Sequence, residues 1–203
     1  MERLLKGMQR FKDTVFHEKQ SFFQSLSEGQ NPRALFITCS DSRVVPTLIT
    51  QTEPGELFVL RNAGNIIPPY LASNGGEEAT IEYAIGVLHV KHIIVCGHSS
   101  CGAIDHLLSG EVDHSDNHIV SQWLAYAESA KQITEALEPD NNEQRLELTI
   151  RNNVRMQLKH IETYPCVAKA IAKKELDLHG WYYCMETGDI DVFINTSVNT
   201  ATA

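Results

Sequence analysis

This chain has no run of roughly 18 apolar residues, so nothing in it reads as a membrane-spanning helix. It also lacks a dense block of one charge. Seventeen lysines and arginines against 26 aspartates and glutamates leave a formal charge of -9, with no basic stripe to track a phosphate backbone, and nucleic acid is not an expected partner. Cysteine is sparse and odd in number: five residues, at 39, 96, 101, 166 and 184, do not form the framework of a small secreted domain, which leaves reduced thiols or metal ligands. The first residues, "MERLLKGMQRFKDTVF", are charged every few positions and lack the apolar centre of a signal peptide, so the expected location is the cytoplasm or a compartment within it. No internal repeat, low-complexity tract or linker interrupts the chain. Residues 1–203 therefore read as a single domain.

What is present is ordinary for a folded protein: 42% hydrophobic and 21% charged residues over 203 positions, a length at which folding buries about 70% of the unfolded surface. Residues 1–28 space Leu4, Met8, Phe11, Val15, Phe22 and Leu26 at helical steps, which predicts an amphipathic N-terminal helical arm closed by Gly29 and Pro32. Ala34 to Thr38 is a short buried strand, and Leu57 to Leu60, after the turn at Pro54-Gly55, is another. A helix is expected over 75–90, a strand over 92–96, and helices over 117–136, 143–163 and 165–178. The last segment, "HGWYYCMETGDIDVFIN", reads as a hairpin about Thr187-Gly188-Asp189. Strand, strand, helix, strand is the rhythm of an α/β fold with a mostly parallel central sheet flanked by helices.

The chemistry concentrates at two strand ends. "IIVCGHSSCGAI", residues 93–104, runs from a buried strand through a glycine turn into a helix and carries His98 and Cys101, close enough in sequence to meet on one ion. "ITCSDSRVV", residues 37–45, places Cys39, Asp41 and Arg43 at alternate positions after the other strand. If the two strands are parallel neighbours, Cys39 joins His98 and Cys101 as a third ligand. Two sulfurs, one imidazole and an open fourth position describe a catalytic Zn2+ site rather than a closed structural one. Arg43 can grip Asp41 bidentately and keep it ionised, ready to orient water or, if released, to take the fourth position itself. A phosphate-cradling cysteine loop needs a longer gap than the three residues separating Cys39 from Arg43, and a lone redox thiol leaves His98 without a purpose. Cys96, Cys166 and Cys184 read as small core residues.

Taken in order, "CSDSR" at 39–43, "RNAGN" at 61–65, "EYA" at 82–84 and "GHSSCGA" at 97–103 resemble the β-class carbonic anhydrases, and the likeness extends to "LHGWYY" at 178–183. It is nearest to the cyanobacterial carboxysomal members. The resemblance implies reversible hydration of CO2 to bicarbonate, with zinc on Cys39, His98 and Cys101 and an orienting dyad of Asp41 and Arg43. It further implies a homodimer or higher homo-oligomer and an apolar pocket corresponding here to Gln30, Phe58, Ala63, Tyr83 and Gly102, part of it supplied by a partner subunit. A place in the carboxysome, with a scaffold protein as partner, follows from the same likeness, although the chain ends in a short "SVNTATA" rather than a long tail. Some bacterial members hold inhibitory bicarbonate with Trp, Arg and Tyr; Arg61 and Tyr183 stand at two of those positions, but Phe36 occupies the third and removes a donor. The rival reading is a catalytically silent, zinc-stabilised scaffold, which has no use for an oriented Asp-Arg pair.

Overall fold

The structure is a computed structural model and describes residues 1–73, 75–110 and 118–196. It divides into two compact units, Met1–Asn31 and Pro32–Ala203.

In the first unit α1 (Glu2–Arg10) runs into a wider π-helical turn, Phe11–Phe16, and α2 (Gln20–Leu26) follows a break at Lys19. The single helix expected over 1–28 is thus interrupted. The break accompanies an aromatic cluster, in which Phe23 stacks on Phe16 with ring centroids 5.4 Å apart and meets Phe11 edge-on at 5.6 Å. No residue of these helical segments is buried, and Leu4, Leu5, Met8, Phe11 and Val15 are exposed.

The second unit is built on a five-stranded sheet. Its elements are β1 (Ala34–Cys39), α3 (Pro46–Thr50), β2 (Leu57–Asn62), α4 (Gly76–Gly86), β3 (His92–His98) and α5 (Gly102–Ser109). After them come α6 (His118–Leu124), α7 (Glu128–Glu135), α8 (Asn142–Glu162), α9 (Pro165–Ala172), β4 (Asp177–Tyr183) and β5 (Ile190–Asn195). The strand order is β2-β1-β3-β4-β5; the first four strands are parallel and β5 is an antiparallel edge. The expected α/β class and terminal hairpin are observed.

Three helices depart from expectation, and the one expected over 75–90 ends at Gly86, before the left-handed backbone at His89. The segment expected as one helix over 117–136 breaks at Ala125–Ala127 into α6 and α7, and residue 117 lies outside the described residues. The helix expected over 165–178 stops at Ala172, because Lys174 adopts a left-handed backbone and Leu178 pairs with Ile93 in the sheet. An apolar run beside a helix is a helix or a strand according to its partner, and here the partner is β3.

Long helix α8 starts where Asn141 accepts the backbone N–H of Gln144 at 2.9 Å. It lies against β3 so closely that a Cβ built on Gly97 would sit 2.7 Å from Ile150 Cγ2. Leu35, Ile37, Ile93, Val95 and Leu178 pack against Ile81, Ala84, Val154, Leu158 and Tyr164 on that side of the sheet, and Phe36, Ile94 and Cys96 pack on the other. Cys96 is the core residue expected, and burial pushes its thiol up to about 12. Among the described residues no helix is long and apolar enough to cross a membrane.

Candidate metal centre

Parallel pairing of β1 with β3 carries Cys39 and His98 to the same end of the sheet, the carboxyl end, where an α/β sheet offers its ligand crevice. Cys101 follows at the N-cap of α5. The ligand atoms of Cys39, His98 and Cys101 lie within 4.8 Å of one another, and all three residues are buried. This is the trio expected from spacing and strand order.

The trio has the chemistry of a metal site. His98 Nδ1 lies 2.8 Å from the Ser99 carbonyl, which can only accept, so Nδ1 carries the hydrogen and Nε2 keeps its lone pair. Nε2 is buried without a hydrogen-bond partner. The Cys101 thiol, donating to the Cys39 sulfur, holds the Cys39 thiol well below its ordinary range, helped by the Gly64 N–H at 3.4 Å; the same shared hydrogen, with burial, pushes Cys101 up. The first backbone N–H groups of α5 point at the Cys101 sulfur and favour a thiolate there. An orphaned imidazole nitrogen facing two sulfurs that compete for one proton fits a thiophilic divalent cation.

Asp41 stays outside the trio. Its Oδ1 accepts from the Arg43 backbone N–H and Nε, both at 2.9 Å, and its Oδ2 accepts from an Arg43 terminal nitrogen at 2.7 Å. These bonds hold the Asp41 carboxyl well below the usual carboxylate range. Arg43 also donates to the Ser100 carbonyl at 3.1 Å, tying the Asp41 turn to the loop between the two β3-side ligands.

The fold is shared with known proteins. The carbonic anhydrase family model matches residues 34–190. A solved β-carbonic anhydrase, CcaA, is 44% identical and superposes with a TM-score of 0.92, covering 95% of this chain and 87% of its own. The chain belongs to the β-class carbonic anhydrases. A carbonic anhydrase of Synechocystis sp. is 45% identical over 94% of this chain and 70% of its own. A β-carbonic anhydrase from Sordaria macrospora, described as tetrameric, is 30% identical with a TM-score of 0.84, over 96% of this chain and 98% of its own.

In this β-class carbonic anhydrase the residues expected to line a pocket are placed unevenly. Ala63 lies in the turn after β2, where its carbonyl accepts the Trp123 indole N–H at 2.8 Å, and Gly102 opens α5 beside Cys101. Phe58 and Tyr83 pack on each other, centroids 5.9 Å apart, but Phe58 pairs with Leu35, four positions before Cys39 and so about 13 Å back along the strand. Gln30 is exposed in the first unit. Arg61, at one of the positions the resemblance assigns to bicarbonate inhibition, donates to the carbonyls of Cys39 at 3.0 Å and Asp41 at 2.8 Å.

Several supporting residues were not singled out from the sequence, although Gly64 lies within the "RNAGN" stretch at 61–65. Gly64, at φ +78°, aims its N–H at Cys39, and its own carbonyl accepts from buried Asn153 at 2.9 Å. Gln157 continues that polar ladder by donating to Asn153 at 2.8 Å and accepting from the Ile67 N–H at 2.8 Å. The one available signal was a run of amides on the face of α8 that its apolar neighbours mark as buried.

Proposed function

We infer that Cys39, His98 and Cys101 hold a zinc ion and that the chain interconverts CO2 and bicarbonate there. The observation that carries this is the combination of three converging buried donors, one an unpartnered imidazole nitrogen, with an adjacent carboxylate locked out of the cluster by Arg43. Bound zinc would act as a Lewis acid that makes water nucleophilic near neutral pH. The protein's residues do the rest. Two thiolates offset the charge of the dication, so the positioning of water matters more than at an all-histidine site. Asp41, kept ionised by Arg43, is the acceptor that orients the attacking water and takes up its hydrogen bond. Ala63 and Gly102 line the approach with little side-chain bulk. Phe58 and Tyr83 complete an apolar CO2 pocket from a second copy of the chain.

A homodimer or larger homo-oligomer is supported by the tetrameric Sordaria neighbour and by the exposed Leu4, Leu5, Met8, Phe11 and Val15. The cyanobacterial likeness supports cytoplasmic action inside a carboxysome, supplying CO2 to carbon fixation, with a shell scaffold as a further partner. The C-terminal "SVNTATA" that bears on scaffold docking lies outside the described residues. X-ray absorption at the zinc edge tests the centre: two sulfurs at about 2.3 Å and a histidine nitrogen at about 2.0–2.1 Å are expected. CO2 hydration should vanish when zinc is removed and return when it is restored. An all-oxygen shell, or hydration indifferent to zinc, would overturn the reading.

A further inference from the structure

The loop between ligands His98 and Cys101 consists of Ser99 and Ser100, and Ser100 has a left-handed backbone, φ +54°. A non-glycine residue in that region is strained and persists only where its surroundings hold it. The Arg43 bond to the Ser100 carbonyl holds one side. The other side is held from the β4–β5 turn. Ser99 N–H donates to the Tyr183 carbonyl at 2.9 Å, and the Ser99 hydroxyl accepts from the Met185 N–H at 2.9 Å while donating to Glu186 Oε2 at 2.6 Å. The Ser100 hydroxyl donates to Glu186 Oε1 at 3.3 Å, and the Cys184 thiol donates to Oε2 at 3.3 Å. One carboxylate thus spends both oxygens on consecutive residues of the metal loop, through a short charge-assisted bond on one side. A side chain that merely solvated its own turn would have no reason to reach another element twice.

The Ser99 carbonyl is also the acceptor that fixes the His98 tautomer. Anything that fixes Ser99 therefore fixes which imidazole nitrogen faces the metal, and Ser100 sets where Cys101 enters α5. A cavity of about 390 Å³ lined in part by Ser99, Ser100, Cys184 and Glu186 lies on this side of the loop, so among the described residues the carboxylate is the one group that binds both serine hydroxyls there. We propose that Glu186 is a positioning residue for the metal centre, clamping the Ser99-Ser100 loop so that His98 and Cys101 are presented together. This rests on the zinc reading above.

The test measures zinc release from the loaded full-length protein into excess chromogenic chelator, comparing the parent with Glu186→Ala and Glu186→Gln. Asp189→Ala removes a charge from the same turn and serves as the control. Loss of such outer support weakens metal binding by about 10- to 100-fold. Glu186→Ala should release zinc faster by that order, Glu186→Gln by less because it keeps one carbonyl acceptor, and Asp189→Ala at the parent rate. In the cobalt-substituted protein, the visible absorption of Glu186→Ala should shift, since the ligands no longer hold one geometry. A parent that takes up no zinc would sink the metal reading and this inference together. Zinc uptake by the parent, with release from both Glu186 variants within about twofold of it and unchanged cobalt spectra, would sink this inference alone. Glu186→Gln decides if the alanine variant does not fold.

Discussion

Replacing Gly97 with alanine tests whether close packing behind the centre is essential. The added Cβ would stand 2.7 Å from Ile150 Cγ2 and 3.0 Å from Val154 Cγ2, with the first roughly 1 Å short of ordinary carbon contact. Neither partner can easily give way. Strand β3 is hydrogen-bonded between β1 and β4, and both opposing side chains are β-branched with stiff first torsions. The helix must therefore move, and overpacking of this kind costs about 1–3 kcal/mol. Movement of α8 also draws Asn153 away from the Gly64 carbonyl and so loosens the turn that donates to Cys39. Urea unfolding should show the loss for Gly97→Ala but not for Gly86→Ala, where nothing stands within 4 Å of the new Cβ. Ile150→Ala, about 2–5 kcal/mol on its own, should remove the clash, so the double variant should cost at least about 1 kcal/mol less than the two singles summed. Stability of Gly97→Ala within about 0.5 kcal/mol of the parent, or strict additivity in the cycle, would refute the packing argument.

Two further outcomes concern pH and oxidation. Burial holds the His160 and His179 imidazoles below their ordinary 6.5, so the unfolded chain binds more protons; stability is whole above about pH 6.5 and declines as pH falls below it. The urea midpoint should drop between about pH 7.5 and 5.5, less so in His160→Gln, and a midpoint that holds or rises would contradict the assignment. In zinc-stripped protein the adjacent Cys39 and Cys101 sulfurs should couple under mild peroxide, consuming two thiols, while bound zinc protects them and Cys96 stays inert in the core. Equal thiol loss with and without zinc would count against the shared site.

Strands β1 and β3 were legible because their apolar runs are short and end in chemistry-bearing turns, and parallel neighbours then bring Cys39 to His98 without further assumption. Asp41 and Arg43 were legible for a similar reason: both partners of that pair lie within one turn. Contacts closed over long sequence distances were not. Leu178 looked helical until β3 claimed it; Asn153 and Glu186 are ordinary polar residues until folding brings them against Gly64 and Ser99, which lie 89 and 87 positions away in the sequence. Phe58 and Tyr83 were chosen as pocket residues by likeness, and a single chain brings them to each other rather than to the trio.

The most direct measurement is stopped-flow CO2 hydration with zinc quantified in the same sample, on the parent and on Asp41→Ala. The account predicts about one zinc per chain in both proteins and hydration about 10²- to 10⁴-fold slower in the variant, because the metal is held without Asp41 but the water is no longer oriented. Full zinc in the parent without turnover across neutral and alkaline pH, or a variant as fast as the parent, would contradict it.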